Sequence, residues 1–168
     1  VLKTSGVEKL SLQETGGQGY LVKKDPDLQL DFSAIAKGYA VDLISRYLTK
    51  VGHDNHMVEI GGEIRVSGLK APGTKWSVGI EKPVANVRTG ISKLTITNNS
   101  IATSGSYRNY YELNGQRFSH TIDPRTGRPI THNMISVSVI AKGCMFADAF
   151  ATAAMAMGPE ETLRYANQ

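Results

Sequence analysis

Asp148 and Thr152 stand four residues apart in CMFADAFATAAMAMG (144–158), a stretch otherwise almost wholly apolar. On a helix, positions i and i+4 project from one patch, so a carboxylate and a hydroxyl would share a face. A carboxylate in apolar surroundings is costly unless it is paired, hydrogen-bonded or bound to a metal. Two hard oxygen donors suit Mg²⁺, whose shell is completed by waters and ligand phosphates. No cluster of the nitrogen and sulfur ligands that zinc takes is visible in the chain. A structural account competes: the helix dipole favours an anion near a helix start, and Thr152 could bond back to the carbonyl of residue 148. This helix alone leaves both open.

Three other stretches carry polar groups in telling places. In LDFSAIAKGYAVD (30–42), a strand-to-helix corner would expose free N–H groups at the positive end of a dipole, a natural phosphate seat. Lys37 adds a point charge there, and Asp31 can accept from ligand N–H or O–H groups. Gly38 is a poor choice inside a helix, which points to close approach by another backbone or a ligand. VEIGGEI puts Gly61-Gly62 before Glu63, either a bulge approached by something flat or a plain tight turn. In RFSHTIDPRTG, His120 shares an alternation face with Phe118 and Ile122, so it is either a core histidine or a general base beside a polar turn. Thr103, Ser104 and Ser106 in IATSGSY add hydroxyls around a glycine.

Short elements must position these groups. LQLDF (28–32) alternates as a half-buried strand. The helix after it has Ser33 as its N-cap, a stripe of Ile35, Tyr39, Leu43, Ile44, Tyr47 and Leu48, and Gly52 as its stop. HMVEI, GEIRVSG, KWSVGIEKP and KLTITN read as strands, and Asn114-Gly115 between YRNYYEL and QRFSHTI reads as a hairpin. DPRTGRP is a turn, MISVSVIA a strand, and PEETLRYA a short helix opened by Pro159. The order predicts an α+β fold: mixed, largely antiparallel sheets packed with helices in a single compact domain.

Composition sets the bounds. With 168 residues, 40% hydrophobic and 20% charged, the chain can bury a core. A net charge of +4 suits an anionic ligand, but the basic residues are scattered, so nucleic acid is not expected. Cys144 is the only cysteine, which excludes an internal disulfide. No apolar run is long enough to span a bilayer. The chain begins at Val1 without a Met start and reads as a fragment or a processed chain.

Taken together, LDFSAIAKGYAVD, VEIGGEI, IATSGSYRNYYELNGQRFSHTIDPRTGRPI and FADAFATAAMAMG, in this order, resemble the bacterial FAD:protein FMN transferases, once described as thiamine-biosynthesis lipoproteins. The resemblance implies that residues 1–168 are the central and C-terminal part of a flavin transferase domain whose N-terminal segment is absent. It implies FAD as substrate, Mg²⁺ as cofactor, and transfer of FMN to a threonine hydroxyl of an acceptor protein with release of AMP. By position it makes Asp148, Thr152 and the carbonyl of Ala34 metal ligands. Asp31, Lys37, Gly61, Gly62, Glu63, Ser104, His120, Thr121 and Ile122 become FAD contacts, with His120 as the catalytic base. It also implies a lipid-anchored protein at the periplasmic face of the bacterial inner membrane, with the anchor outside this chain. Mg²⁺-dependent hydrolysis of FAD to FMN and AMP, or flavin binding without turnover, are the alternatives.

Overall fold

The structure, a computed structural model, describes residues 5–81, 90–106, 110–113 and 116–167. Two strands, β1 (Leu10–Thr15) and β2 (Gln18–Lys23), form an opening hairpin before helix α1 (Ala36–Lys50). Then come β3 (His56–Ile60), β4 (Glu63–Ser67), β5 (Trp76–Glu81), β6 (Gly90–Ile96) and β7 (Ser100–Gly105). Short pairs follow: β8 (Tyr110–Leu113) with β9 (Gln116–Ser119), and β10 (Ile122–Asp123) with β11 (Arg128–Pro129). The chain closes with β12 (Ser136–Ala141), α2 (Cys144–Met157) and α3 (Pro159–Ala166). The α+β expectation holds. No helix among the described residues is long and apolar enough to cross a membrane.

The central sheet is antiparallel throughout, in the order β12-β7-β4-β3. Alternation along β4 gives it two faces. Glu63 and Arg65 reach Lys37 and Asp42 of α1, whereas Val66 joins Val78, Ile96 and Ile101 in a core closed by the β5–β6 hairpin, with Ile64 packed against it. The helix side has its own core of Val41, Val58 and Cys144. Alanines at 147, 151 and 154 are buried along α2, and their small side chains let it lie close to its neighbours. Burial pushes the Cys144 thiol up to about 12, with the Asp42, Glu63 and Asp148 carboxylates adding to the effect.

Four expectations need correction. Residues 28–32 form no strand: Leu28 is buried, but Leu30 and Phe32 are 40% and 55% exposed. Asp31 Oδ1 accepts the Ser33 N–H at 2.7 Å, a local turn that takes the chain out of extension. Ser33 is not the cap of α1, which starts at Ala36 with Ile35 before it and no side-chain bond from that residue. The buried face of α1 is Gly38, Val41, Asp42 and Ser45, while Tyr39, Leu43, Ile44 and Tyr47 are exposed. Polar partners chose that face: Arg65 bonds Asp42 and Ser45, and His56 Nε2 lies 2.7 Å from the Ser45 hydroxyl. Finally, the alternation through His120 is broken. β9 ends at Ser119, whose hydroxyl accepts the Thr121 N–H, and His120 is exposed rather than in the core.

The hairpin expected around Asn114-Gly115 has its strands paired, Leu113 opposite Gln116; the two turn residues lie outside the described set. Gly61 and Gly62 form a tight turn between Ile60 and Glu63, with φ of 60° and 100°. Two positive φ values in succession are what a two-residue primed turn requires, and glycine supplies them at no steric cost.

Candidate active site

Helices α1 and α2 cap one another. The Asp42 carboxylate of α1 accepts the N–H groups of Cys144 and Met145 at 3.0 Å each, the first turn of α2. Asp148 of α2 returns the favour, its Oδ2 accepting the Gly38 N–H of the first turn of α1 at 2.9 Å. Orphan donors at both helix starts are thereby satisfied by side chains from the neighbouring helix. Gly38 sits at the crossing: a Cβ there would lie 2.7 Å from the Cys144 carbonyl carbon and 2.8 Å from Asp148 Cβ. The close approach read from this glycine is therefore that of another backbone. The account of Asp148 as an anion at the start of its own helix needs correction: no acidic residue lies in the first turn of α2, and Asp148 caps the neighbouring helix instead.

Beside this crossing lies a cleft of about 460 Å³. The turn before α1 and its first residues supply Ser33, Ala34 and Lys37; α2 supplies Asp148, Thr152 and Ala156, one face at steps of four. Strand β7 contributes Thr103, Ser104 and Gly105, the β9–β10 connection contributes His120 and Thr121, and the start of β10 contributes Ile122. Glu63 forms part of the wall from the end of the β3–β4 turn. Nine of the twelve site residues that the resemblance implied thus meet across more than a hundred positions. Asp31, Gly61 and Gly62 stand outside the lining. Asp31 is engaged in its local turn, and the two Ser33 hydrogen bonds hold its carboxyl below the ordinary value. Ser33, Gly105 and Ala156 line the cleft although sequence reasoning gave them no ligand role, and Thr103 joins Ser104 there as one of the hydroxyls that IATSGSY offered. For Ala156 the signal was available, since it continues the 148–152 spacing.

Glu63 and Lys37 tie the wall together. Lys37 Nζ lies 2.8 Å from Glu63 Oε1, with the lysine side chain 47% exposed and the glutamate 3%. Burial raises the Glu63 carboxyl above its ordinary value, against the bond and charge of Lys37, and the Asp148 charge adds to the rise. Thr152 makes no bond back to residue 148 among the described residues and lines the cleft instead. Nor, among the described residues, do three His, Cys, Asp or Glu side chains converge as a zinc centre would need. The available donors beside Asp148 are a hydroxyl and main-chain carbonyls, the hard oxygens that Mg²⁺ accepts.

Fold and site define an α+β protein with a polar, oxygen-lined cleft where two mutually capped helices meet. The chain belongs to the ApbE family, which it matches over residues 1–168. It is 46% identical over 163 residues to the FAD:protein FMN transferase of Vibrio cholerae, covering 96% of this chain and 47% of that one. The Escherichia coli K12 protein of the same name is 43% identical over 157 residues, covering 94% and 45%. The solved flavin transferase ApbE from Vibrio cholerae superposes with a TM-score of 0.83 at 43% identity, covering 98% of this chain and 51% of that one. The chain therefore spans about half the length of the relatives it matches.

Proposed function

We propose that this chain carries the catalytic cleft of an Mg²⁺-dependent flavin transferase, which moves the FMN half of FAD onto a threonine hydroxyl of a target protein and releases AMP. One observation carries the reading: Asp148, Thr152, Ala34, Lys37 and His120, scattered along the chain, line a single cleft. Relatives named FAD:protein FMN transferase support the reaction class.

The donor set fits a hard divalent cation. Asp148 would hold it through a carboxylate oxygen, Thr152 through its hydroxyl and Ala34 through its main-chain carbonyl. When bound, Mg²⁺ supplies positive charge against the pyrophosphate oxygens, a contribution of several kcal/mol. The chain's own groups do the rest. Lys37, steadied by Glu63, sets its ammonium against the same oxygens. His120, exposed at the cleft edge, takes the threonine proton on a ring nitrogen as the hydroxyl oxygen attacks the FMN phosphorus. The bond from that phosphorus to the bridging oxygen breaks, and the electron pair leaves with AMP. A phosphate leaving group needs little help from an acid.

Mass spectrometry of a threonine-containing acceptor peptide incubated with the protein, FAD and Mg²⁺ tests the proposal. The peptide should gain one FMN for each AMP released. AMP formed equally fast without the peptide, and no flavinylated product, would defeat it in favour of hydrolysis.

A further inference from the structure

One oxygen in this cleft wall is left unused by the mechanism. Glu63 Oε1 holds Lys37, but Oε2 is buried and has no hydrogen-bond partner, in a residue only 2% exposed. Buried polar atoms without partners are rare in folded proteins, because leaving one unpaired forfeits its hydration with nothing in return. Besides Lys37, only the main chain of Glu63 itself comes near enough to favour the charged carboxylate, and it leaves Oε2 without a hydrogen bond. The turn above carries no side chain, and even a Cβ added at Gly61 would stop 3.7 Å from Oε2 in ordinary contact. Lys37 is already engaged on the other oxygen.

The missing partner must be a donor. A pyrophosphate offers only acceptor oxygens and negative charge, so Oε2 would repel it. A neutral O–H or N–H group meets the need, and a dinucleotide carries several: sugar hydroxyls, the flavin ring imide and the adenine amine. We propose that Glu63 is a specificity residue, whose Oε2 accepts a hydrogen bond from a neutral donor of the flavin dinucleotide while Oε1 keeps Lys37 in place. This rests on the flavin-transferase reading and adds the chemistry by which the wall tells nucleotide from bare phosphate. Glutamate's last torsion is broad, so a modest rotation turns Oε2 toward the cleft, and the half-exposed Lys37 can follow it.

Glu63→Gln isolates the idea. An amide has one acceptor, and Lys37 has only donors, so the amide oxygen stays with Lys37 and the NH₂ takes the place of Oε2. The shape is kept while one point of the wall changes from acceptor to donor. The experiment measures Kd for FAD, FMN, ADP and inorganic pyrophosphate, and for Mg²⁺ alone, in wild type and E63Q. FAD should bind E63Q about tenfold more weakly or worse, the scale of a lost bond to a charged group. Pyrophosphate should bind as well or better, and Mg²⁺ unchanged. Weakening of FMN but not ADP places the donor on the flavin half, and the reverse places it on the adenosine half. Equal FAD affinity in both proteins overturns the proposal. So does a joint loss of FAD, pyrophosphate and Mg²⁺, which marks a merely structural or metal-directed role. If wild type binds no FAD at all, the flavin reading itself fails, a separate result.

Discussion

On the proposed reading Asp148 would hold two duties in one side chain, and substitution separates them. Its Oδ2 caps Gly38, so truncation to alanine removes both a helix cap, at a cost of about 1 kcal/mol, and the charge a cation needs. Asp148→Asn keeps an amide oxygen for the Gly38 N–H and discards only the charge. We expect D148N to melt within a few degrees of wild type while losing Mg²⁺ binding by calorimetry and transfer by the peptide assay. Full transfer in D148N would return this residue to a purely structural role. His120→Ala should keep FAD binding while transfer falls at least about tenfold, the scale of a lost general base; unchanged transfer would remove it from the chemistry. Glu63 adds a pH effect. Its carboxyl is raised by burial, so the folded chain holds that proton more tightly than the unfolded chain. Its contribution is therefore fully present below the ordinary glutamate value of 4.5 and is lost as pH rises through the native one. Urea unfolding of wild type against E63Q should favour wild type most near about pH 4, with the gap shrinking as pH rises; a constant gap contradicts the burial effect.

At the level of elements, the site depends on how closely α1 and α2 cross at Gly38. Helix propensity alone says that Gly38→Ala should stabilise α1 by up to about 1 kcal/mol. Geometry says the opposite, because the new methyl meets the Cys144 main chain and Asp148 Cβ, and a backbone cannot swing aside as a long side chain can. We expect G38A to lose about 2 kcal/mol in chemical unfolding and to weaken Mg²⁺ binding with it, since Asp148 must move. A stabilised G38A would refute the crossing. The need for close approach at this glycine was readable from its helical context, and so was the turn at Gly61-Gly62. The partner was not, because 110 residues separate Gly38 from the carboxylate that caps it. The same limit explains the misread corner. LQLDF has the alternation of a strand, but alternation makes a strand only where a neighbouring ladder exists, and here no strand pairs with it and Asp31 instead accepts the Ser33 N–H. The buried face of α1 was hidden for a like reason: Asp42 and Ser45 look like surface residues until Arg65 and His56 arrive from the sheet.

For the molecule as a whole, the cleft exists only when distant segments are folded against each other. Ala34 and Lys37, Glu63, Ser104, His120, Asp148 and Thr152 come from the α1 corner, three parts of the sheet region, and α2. Their motifs and order were legible, and so was the family; their convergence was not, because it is a product of the sheet order β12-β7-β4-β3. A ligand that touches all of them can bind only the native state, and such a ligand at a hundred times its Kd stabilises by about 2.7 kcal/mol. For a chain of this size that corresponds to a rise in melting temperature of about 5–10 °C. Two ligands sharing one cleft, as proposed, should also be coupled: a cation held by Asp148 and Thr152 would lower the electrostatic cost of seating a pyrophosphate beside Lys37, and by reciprocity the dinucleotide would tighten the cation. Thermal melts with Mg²⁺ alone, FAD alone and both together test this. The shift with both should exceed the sum of the two alone, and D148N should abolish the excess while leaving the shift from FAD alone. Simple additivity in wild type would mean that metal and dinucleotide occupy separate places, and the shared cleft would then be wrong.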